Sequence, residues 1–419
     1  MRLLLAGALL WALPAAAQIA DDPILPLGAA QWLAQEASDG DGLFDRPRQV
    51  LDIETRGGRA SFYARLGELA FRSPLTLGGL AQRSGLSCDT CHSGGHANAG
   101  FEVPLISDKP GNVDVTTVVF SHLGEDGLDN PVNIPTLRGV AQTAPYGRDG
   151  RAASLRDFVR DVIVTEFEGD EPAPWLLDGL LGYLRQLRSP PLPALDEAAA
   201  RGAALFARPG QAGPACAACH IPSAGFVDRL AHDVGTGGAY DTPSLRETAD
   251  TAPYGHDGRI DDLDAAIDHF DSLHGHSFTP AERADLRAYL DAIGQGWGRE
   301  PVTFADDWRR LGGFLAMLRP GAESASPGTL LFVVKALRRE LEFVNQRFAG
   351  LPSEQAALIG LAGQLKALTA AMVGDDEPAF MAQLDTLERD FEAVGARLAA
   401  IADRSLYDPD RLRAALGNR

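Results

Sequence analysis

All four cysteines of this chain lie in two pentapeptides, Cys88-Asp-Thr-Cys91-His92 and Cys216-Ala-Ala-Cys219-His220. A C-x-x-C-H run is the attachment signature of c-type haem. Two thiols at that spacing form thioethers to the porphyrin, and the adjoining imidazole is the proximal iron ligand. A zinc site would bring its cysteine pairs closer in sequence than residues 91 and 216. A redox dithiol would sit beside a βαβ pattern, which the sequence does not show. Neither reading, nor a plain disulfide, uses the histidine after each second cysteine. The motifs predict two covalently attached haem c groups, with His92 and His220 as metal ligands.

The elements that must position these motifs are themselves repeated. The approach "RGAALFARPGQAGPACAACH" echoes "RLGELAFRSPLTLGGLAQRSGLSCDTCH". Further on, Asn133–Leu155 ("NIPTLRGVAQTAPYGRDGRAASL") is answered by Asp241–Leu263 ("DTPSLRETADTAPYGHDGRIDDL"). Similarity of this length is an internal duplication. Phe62, Leu66, Leu69 and Ala70 recur at helical spacing before the first motif. Trp175–Leu187 and Pro280–Ile293 read as closing helices, Leu155–Val164 and Leu263–Phe270 as helices after the repeated loops. Ser189–Pro193 is a stiff linker. Few β-branched alternating runs occur, so the expected fold is mostly α: two tandem cytochrome c-like haem domains, 61–190 and 191–299, then a helical C-terminal domain, 300–419. In the last, 303–318, 329–349, 353–373, 376–403 and 408–416 are helix candidates, with breaks at Pro320-Gly321, Gly350–Pro352 and Gly374–Asp376. It is a packing buttress, a homodimer surface or a dock for a protein partner.

The chain opens with Met1-Arg2, an apolar run to Leu13 and Ala15-Ala16-Ala17, the form of a secretory signal peptide cleaved near Ala17. Eleven or so apolar residues are too few to span a bilayer. Residues 18–60 are a lead segment with one short helix candidate near Ala29–Ala37. The expected location is the periplasm, where haem c is attached. Formal charge is −19, or −20 once residues 1–17, with their one Arg and no acid, are removed. That balance argues against nucleic acid and anionic membrane surfaces and suits a basic electron-transfer partner.

Two C-x-x-C-H domains, each followed by P-[TS]-L-R and A-P-Y-x-x-D-G-R, resemble the bacterial di-haem cytochrome c peroxidase family, which includes the methylamine-utilisation di-haem enzyme. The resemblance covers about Ser61–Gln295 and omits the C-terminal helices. It implies that the haem on Cys88, Cys91 and His92 reacts with peroxide and that the haem on Cys216, Cys219 and His220 passes electrons to it. It also implies an acid–base glutamate after the first D-G-R, for which Glu166 and Glu168 are the candidates, Glu168 nearest by count. Arg138 and Arg246, with Arg151 and Arg259, are candidate propionate partners.

The sequence departs from the family in two places, at Phe270 and at Arg148. Where many relatives close the second haem with methionine or tyrosine stands Phe270, which cannot ligate iron. His269 and His274, with His276 close by, are the candidate replacements. Near the first haem, His96 and His122 are candidate distal ligands, and His122 aligns with His232. Arg148 stands where relatives carry an aromatic that couples the haems, and where the second copy has His256. The leading expectation is a peroxidase: hydrogen peroxide reduced to water with electrons from a small periplasmic redox protein. The alternatives are a non-enzymatic electron-transfer protein and an oxidase acting on a protein substrate.

Overall fold

The computed structural model describes residues 43–51, 59–374 and 376–417. The expected leader and most of the lead segment lie outside the described residues. Among the described residues helices dominate, and the strands form three short antiparallel pairs. The chain is mostly α.

In the first half, α1 (Arg59–Arg72) leads through α2 (Gly79–Arg83) to the one-turn α3 (Cys88–Cys91). After a long loop come α4 (Leu155–Asp161), a wide π turn at Val162–Glu166 and α5 (Pro174–Leu184). The second half repeats the scheme with α6 (Glu197–Phe206), α7 (Cys216–Cys219), α8 (Leu263–His274) and α9 (Pro280–Gly294). Each start is written locally. Asp196 and Asp262 accept backbone N–H groups at the N-caps of α6 and α8, and Thr279 with Glu282 forms a capping box on α9.

The duplication in sequence is a duplication of packing. α1 crosses α5 at Gly67, where a Cβ would meet the Gly179 carbonyl oxygen at 1.9 Å. α6 crosses α9 at Gly202, where a Cβ would meet the Asp285 carbonyl oxygen at 2.0 Å. Only glycine permits so close a crossing. Beside each crossing an aromatic pair fills the core, Phe71 with Tyr183 at 5.1 Å and Phe206 with Tyr289 at 5.2 Å between ring centroids.

Strand β1 (Asp45–Pro47) pairs with β6 (Arg299–Pro301), binding the lead segment to the end of the second half. Within the halves, β2 (Asn112–Val113) pairs with β3 (Val132–Asn133), and β4 (Ala231–Asp233) with β5 (Ala239–Asp241).

The C-terminal helices are α10 (Phe304–Leu315), α11 (Leu318–Ser324), α12 (Pro327–Arg347), α13 (Pro352–Val373), α14 (Glu377–Ala399) and α15 (Pro409–Gly417). The break expected at Pro320-Gly321 falls earlier, at Ala316-Met317. Pro320 sits in the first turn of α11, where its missing N–H would have had no helical partner. These helices share one apolar core with Leu66 and Leu69 of α1, both fully buried. Polar contacts reinforce the join: Arg72 of α1 pairs with Glu340 of α12 at 3.2 Å and with Asp89 of α3 at 2.9 Å. The C-terminal bundle is thus packed directly behind the first cysteine motif.

Candidate haem sites

Both motifs fold alike. The backbone N–H of His92 donates to the Cys88 carbonyl and that of His220 to the Cys216 carbonyl, each at 2.9 Å. α3 is fixed further by a Ser87–Thr90 capping box and by Asp89, which accepts the Gly94 N–H at 2.9 Å. Each histidine then leaves its helix at the C-cap with a non-helical backbone, which turns the ring away from the helix axis.

The ring nitrogens are assigned by their partners. Nδ1–H of His92 donates to the Pro135 carbonyl at 2.9 Å, and Nδ1–H of His220 donates to the Phe226 carbonyl at 3.2 Å. A carbonyl on Nδ1 fixes the tautomer and leaves the Nε2 lone pair for a metal. Burial pushes His92 down to about 4 and His220 below its ordinary value, so both rings stay neutral. No disulfide joins the four cysteines. Burial pushes Cys88 and Cys91 up to about 12 and Cys216 to about 11, opposite to the depressed value of a redox dithiol. Two thiols and one neutral, oriented imidazole per motif are the donor set that haem c requires.

Glu166 and Glu168 sit at the end of the π turn. Arg151 pairs with the Glu166 carboxylate at 2.8 Å, while burial raises its pKa against that attraction. Glu168, at φ +47°, accepts the backbone N–H of His122 at 2.6 Å. The structure thus links two candidates, but through the main chain of His122, whose residue is exposed. His96 is buried, donates from Nδ1 to the Ala97 carbonyl at 3.1 Å and is pushed down to about 4 by burial.

Around α8 the three histidines part company. His269 donates from Nε2 to the Val234 carbonyl at 2.9 Å. His274 packs on Gly213, three residues before Cys216. His276 is buried, stacked on Phe278 at 5.0 Å, and neither of its ring nitrogens completes a hydrogen bond. Met317 lies inside the C-terminal core, and Met372 and Met381 pack against it, so none of these reaches a motif.

The arginines divide similarly. Arg138 is buried and donates to Glu247 at 3.1 Å and to the Arg48 carbonyl at 2.7 Å. Arg246 donates to the Pro190 carbonyl, and its buried Nε has no partner in the protein, a donor suited to a propionate. Arg151 and Arg259 are paired with Glu166 and Asp257.

Sequence reasoning missed Glu247. It occupies the position of Gly139 in the first copy, with the same left-handed backbone (φ +64° against +81°). Its fully buried carboxylate also accepts from the Thr136 hydroxyl at 3.1 Å. The signal was available: an acid stands where the duplicate needs glycine.

Comparison with known proteins gives two relatives. The methylamine utilization protein MauG of Methylorubrum extorquens is 33% identical over 299 residues, which cover 54% of this chain and 77% of that protein. MauG of Methylophilus methylotrophus is 26% identical over 267 residues, 52% of this chain and 79% of that one. Among solved structures, a Kuenenia stuttgartiensis hydrazine synthase pressurized with xenon aligns at TM-score 0.45 and 22% identity, covering 59% of this chain and 93% of that chain. A MauG-like protein associated with microbial copper homeostasis aligns at TM-score 0.40 and 17% identity, with the same coverages. No family model matches this chain.

Proposed function

This chain belongs to the bacterial di-haem family of the cytochrome c peroxidases and MauG, and we propose that it is an exported oxidoreductase that reduces hydrogen peroxide to water with electrons from a small redox protein. The observation that carries the two-haem reading is the matched pair of imidazoles, each with Nδ1 held by a carbonyl and Nε2 left free. Cys88 and Cys91 would hold one haem c and Cys216 and Cys219 the other. When bound, the haem on His92 supplies an iron that accepts peroxide, and the haem on His220 supplies a one-electron store.

The protein's own part is orientation and proton handling. Pro135 and Phe226 aim the two proximal rings. Glu166, a carboxyl of raised pKa, would accept a proton from peroxide and return it as the O–O bond breaks. Arg151 holds that carboxylate in place. Glu168 fixes the neighbouring loop through His122. Arg246, with its partnerless Nε, is the propionate donor.

A second reading keeps the oxidant but draws the electrons from a protein substrate. It is favoured by the relationship to the methylamine utilization proteins. One experiment separates the two. Purified protein is given hydrogen peroxide with either a reduced small cytochrome or no donor, and peroxide loss is followed. Turnover that depends on the cytochrome supports the peroxidase. Absence of turnover with every small donor, in protein carrying two haems, overturns it in favour of the second reading.

A further inference from the structure

Between the two motifs lies a run of neighbouring groups that passes through Tyr240 and His256. At the second motif, ligand atoms of Cys219, Asp228 and His232 lie within 4.8 Å of one another, with His232 Nε2 2.6 Å from the Asp228 carboxylate. His232 and Tyr240 are directly opposed in the β4–β5 ladder, which puts their side chains on one face. The Tyr240 ring stacks on His256 with centroids 3.8 Å apart and planes at 12°.

His256 in turn is built into the first half. Its carbonyl accepts the Asn133 N–H at 3.0 Å, and the Asn133 side chain donates to the Pro253 carbonyl at 2.8 Å. Two residues beyond Asn133, the Pro135 carbonyl receives Nδ1–H of His92. The route from Cys219 to His92 thus runs through the Cys219–Asp228–His232 cluster, the cross-strand register of His232 with Tyr240, the Tyr240–His256 stack, hydrogen bonds and a short run of main chain.

Arg148 lies alongside rather than in line. Its carbonyl accepts the Asp241 N–H at 2.8 Å, and its charge acts on both His92 and His256. A cation there has no π face of its own kind to offer, whereas the neighbouring Tyr240–His256 pair does.

We propose that the Tyr240–His256 stack is the inter-haem electron bridge of this protein, the second half supplying the aromatic contact that Arg148 cannot. The proposal rests on the two-haem reading above. Tunnelling decays exponentially across through-space gaps, so two faces in van der Waals contact make the shortest unbonded step available. One electron crosses per transfer. The haem on His220 is oxidised by one electron and the haem on His92 is reduced by one. Neither ring is left changed, and no proton moves.

The test uses the full exported chain, with haem counted by pyridine haemochrome. A ruthenium photoreductant injects one electron, and its redistribution between the haems is followed by absorbance in the parent, Tyr240→Leu, His256→Leu and Tyr240→Phe. The expected result is at least tenfold slower redistribution in both leucine variants, a parent-like rate in Tyr240→Phe, and unchanged reduction potentials of both haems. Two haems per chain with rates within twofold of the parent in either leucine variant overturn the bridge. So does an equal slowing in Tyr240→Phe, or a slowing explained by shifted potentials. Fewer than two haems in the parent would instead sink the two-haem reading.

Discussion

Glu247 of the second half holds Arg138 of the first half in an ion pair at 3.1 Å, with both side chains closed off from solvent. The pair locks the two halves at the base of the repeated P-[TS]-L-R loops. It does so from a left-handed backbone position that costs a non-glycine residue about 1 kcal/mol or more. Such strain persists only where the surrounding contacts hold it in place.

Removing the acid should therefore hurt more than its strain relief helps. Glu247→Gly relaxes the backbone but strands the Arg138 guanidinium in the interior. Breaking a buried pair from one side costs about 3–5 kcal/mol. Urea denaturation of the Glu247→Gly and parent proteins should show a lower midpoint in the variant, equivalent to a loss of about 3–5 kcal/mol in unfolding free energy. An unchanged midpoint would remove the interface role given to this pair.

Replacing Cys88 and Cys91 together by alanine should lower the haem count from two per chain to one, as should replacing Cys216 and Cys219. Pyridine haemochrome absorbance per chain measures this directly. A count that stays at two would show that the pentapeptides are not the attachment points.

Burial raises Glu166 above the usual glutamate value. As a base it works only when ionised, so peroxide turnover should rise with pH through a pKa above that of an ordinary glutamate. Glu166→Gln should remove this limb and lower the rate by about 10²–10⁴-fold. The same shift has a stability cost of fixed sign. The folded chain keeps a proton that the unfolded chain has released, so this cost is absent below the unfolded pKa and reaches its full size as pH rises through the folded one. A pH–rate profile unchanged in the variant would move the acid–base role to Glu168.

Leu69 of α1 is fully buried in the core of the C-terminal bundle. Leu69→Ala should cost about 2–5 kcal/mol by leaving a cavity that close-packed neighbours fill only in part. Because α1 also carries Arg72, which anchors Asp89 in the first motif, the loss should appear in one cooperative unfolding transition. Two separate transitions, with haem absorbance changing in only one, would show that the bundle is independent.

Phe270→Met should raise the reduction potential of the second haem, because thioether ligation raises it. Spectroelectrochemical titration reads the shift. No change would show that α8 does not present residue 270 to the iron.

The sequence alone names the residues suited to covalent haem attachment, and it shows the duplication and the mostly α character of the chain. Thioether attachment needs only two cysteines and a histidine at fixed spacing, and a duplication is visible wherever the same residues recur in the same order. The helices around the motifs followed from apolar periodicity, which is a local signal. Even the close helix crossings were latent in Gly67 and Gly202, although their partners, Gly179 and Asp285, lie far along the chain.

What the tertiary structure decided was each matter resting on a contact between distant segments. It placed Glu247 on Arg138, took His269 to the Val234 carbonyl, buried His276 against Phe278, and set Tyr240 face to face with His256. It also merged the last helices with α1, because an apolar stripe read from sequence does not say which other stripe will cover it. Local spacing fixes what a residue can do, while long-range packing selects which of several equivalent residues is in position to do it.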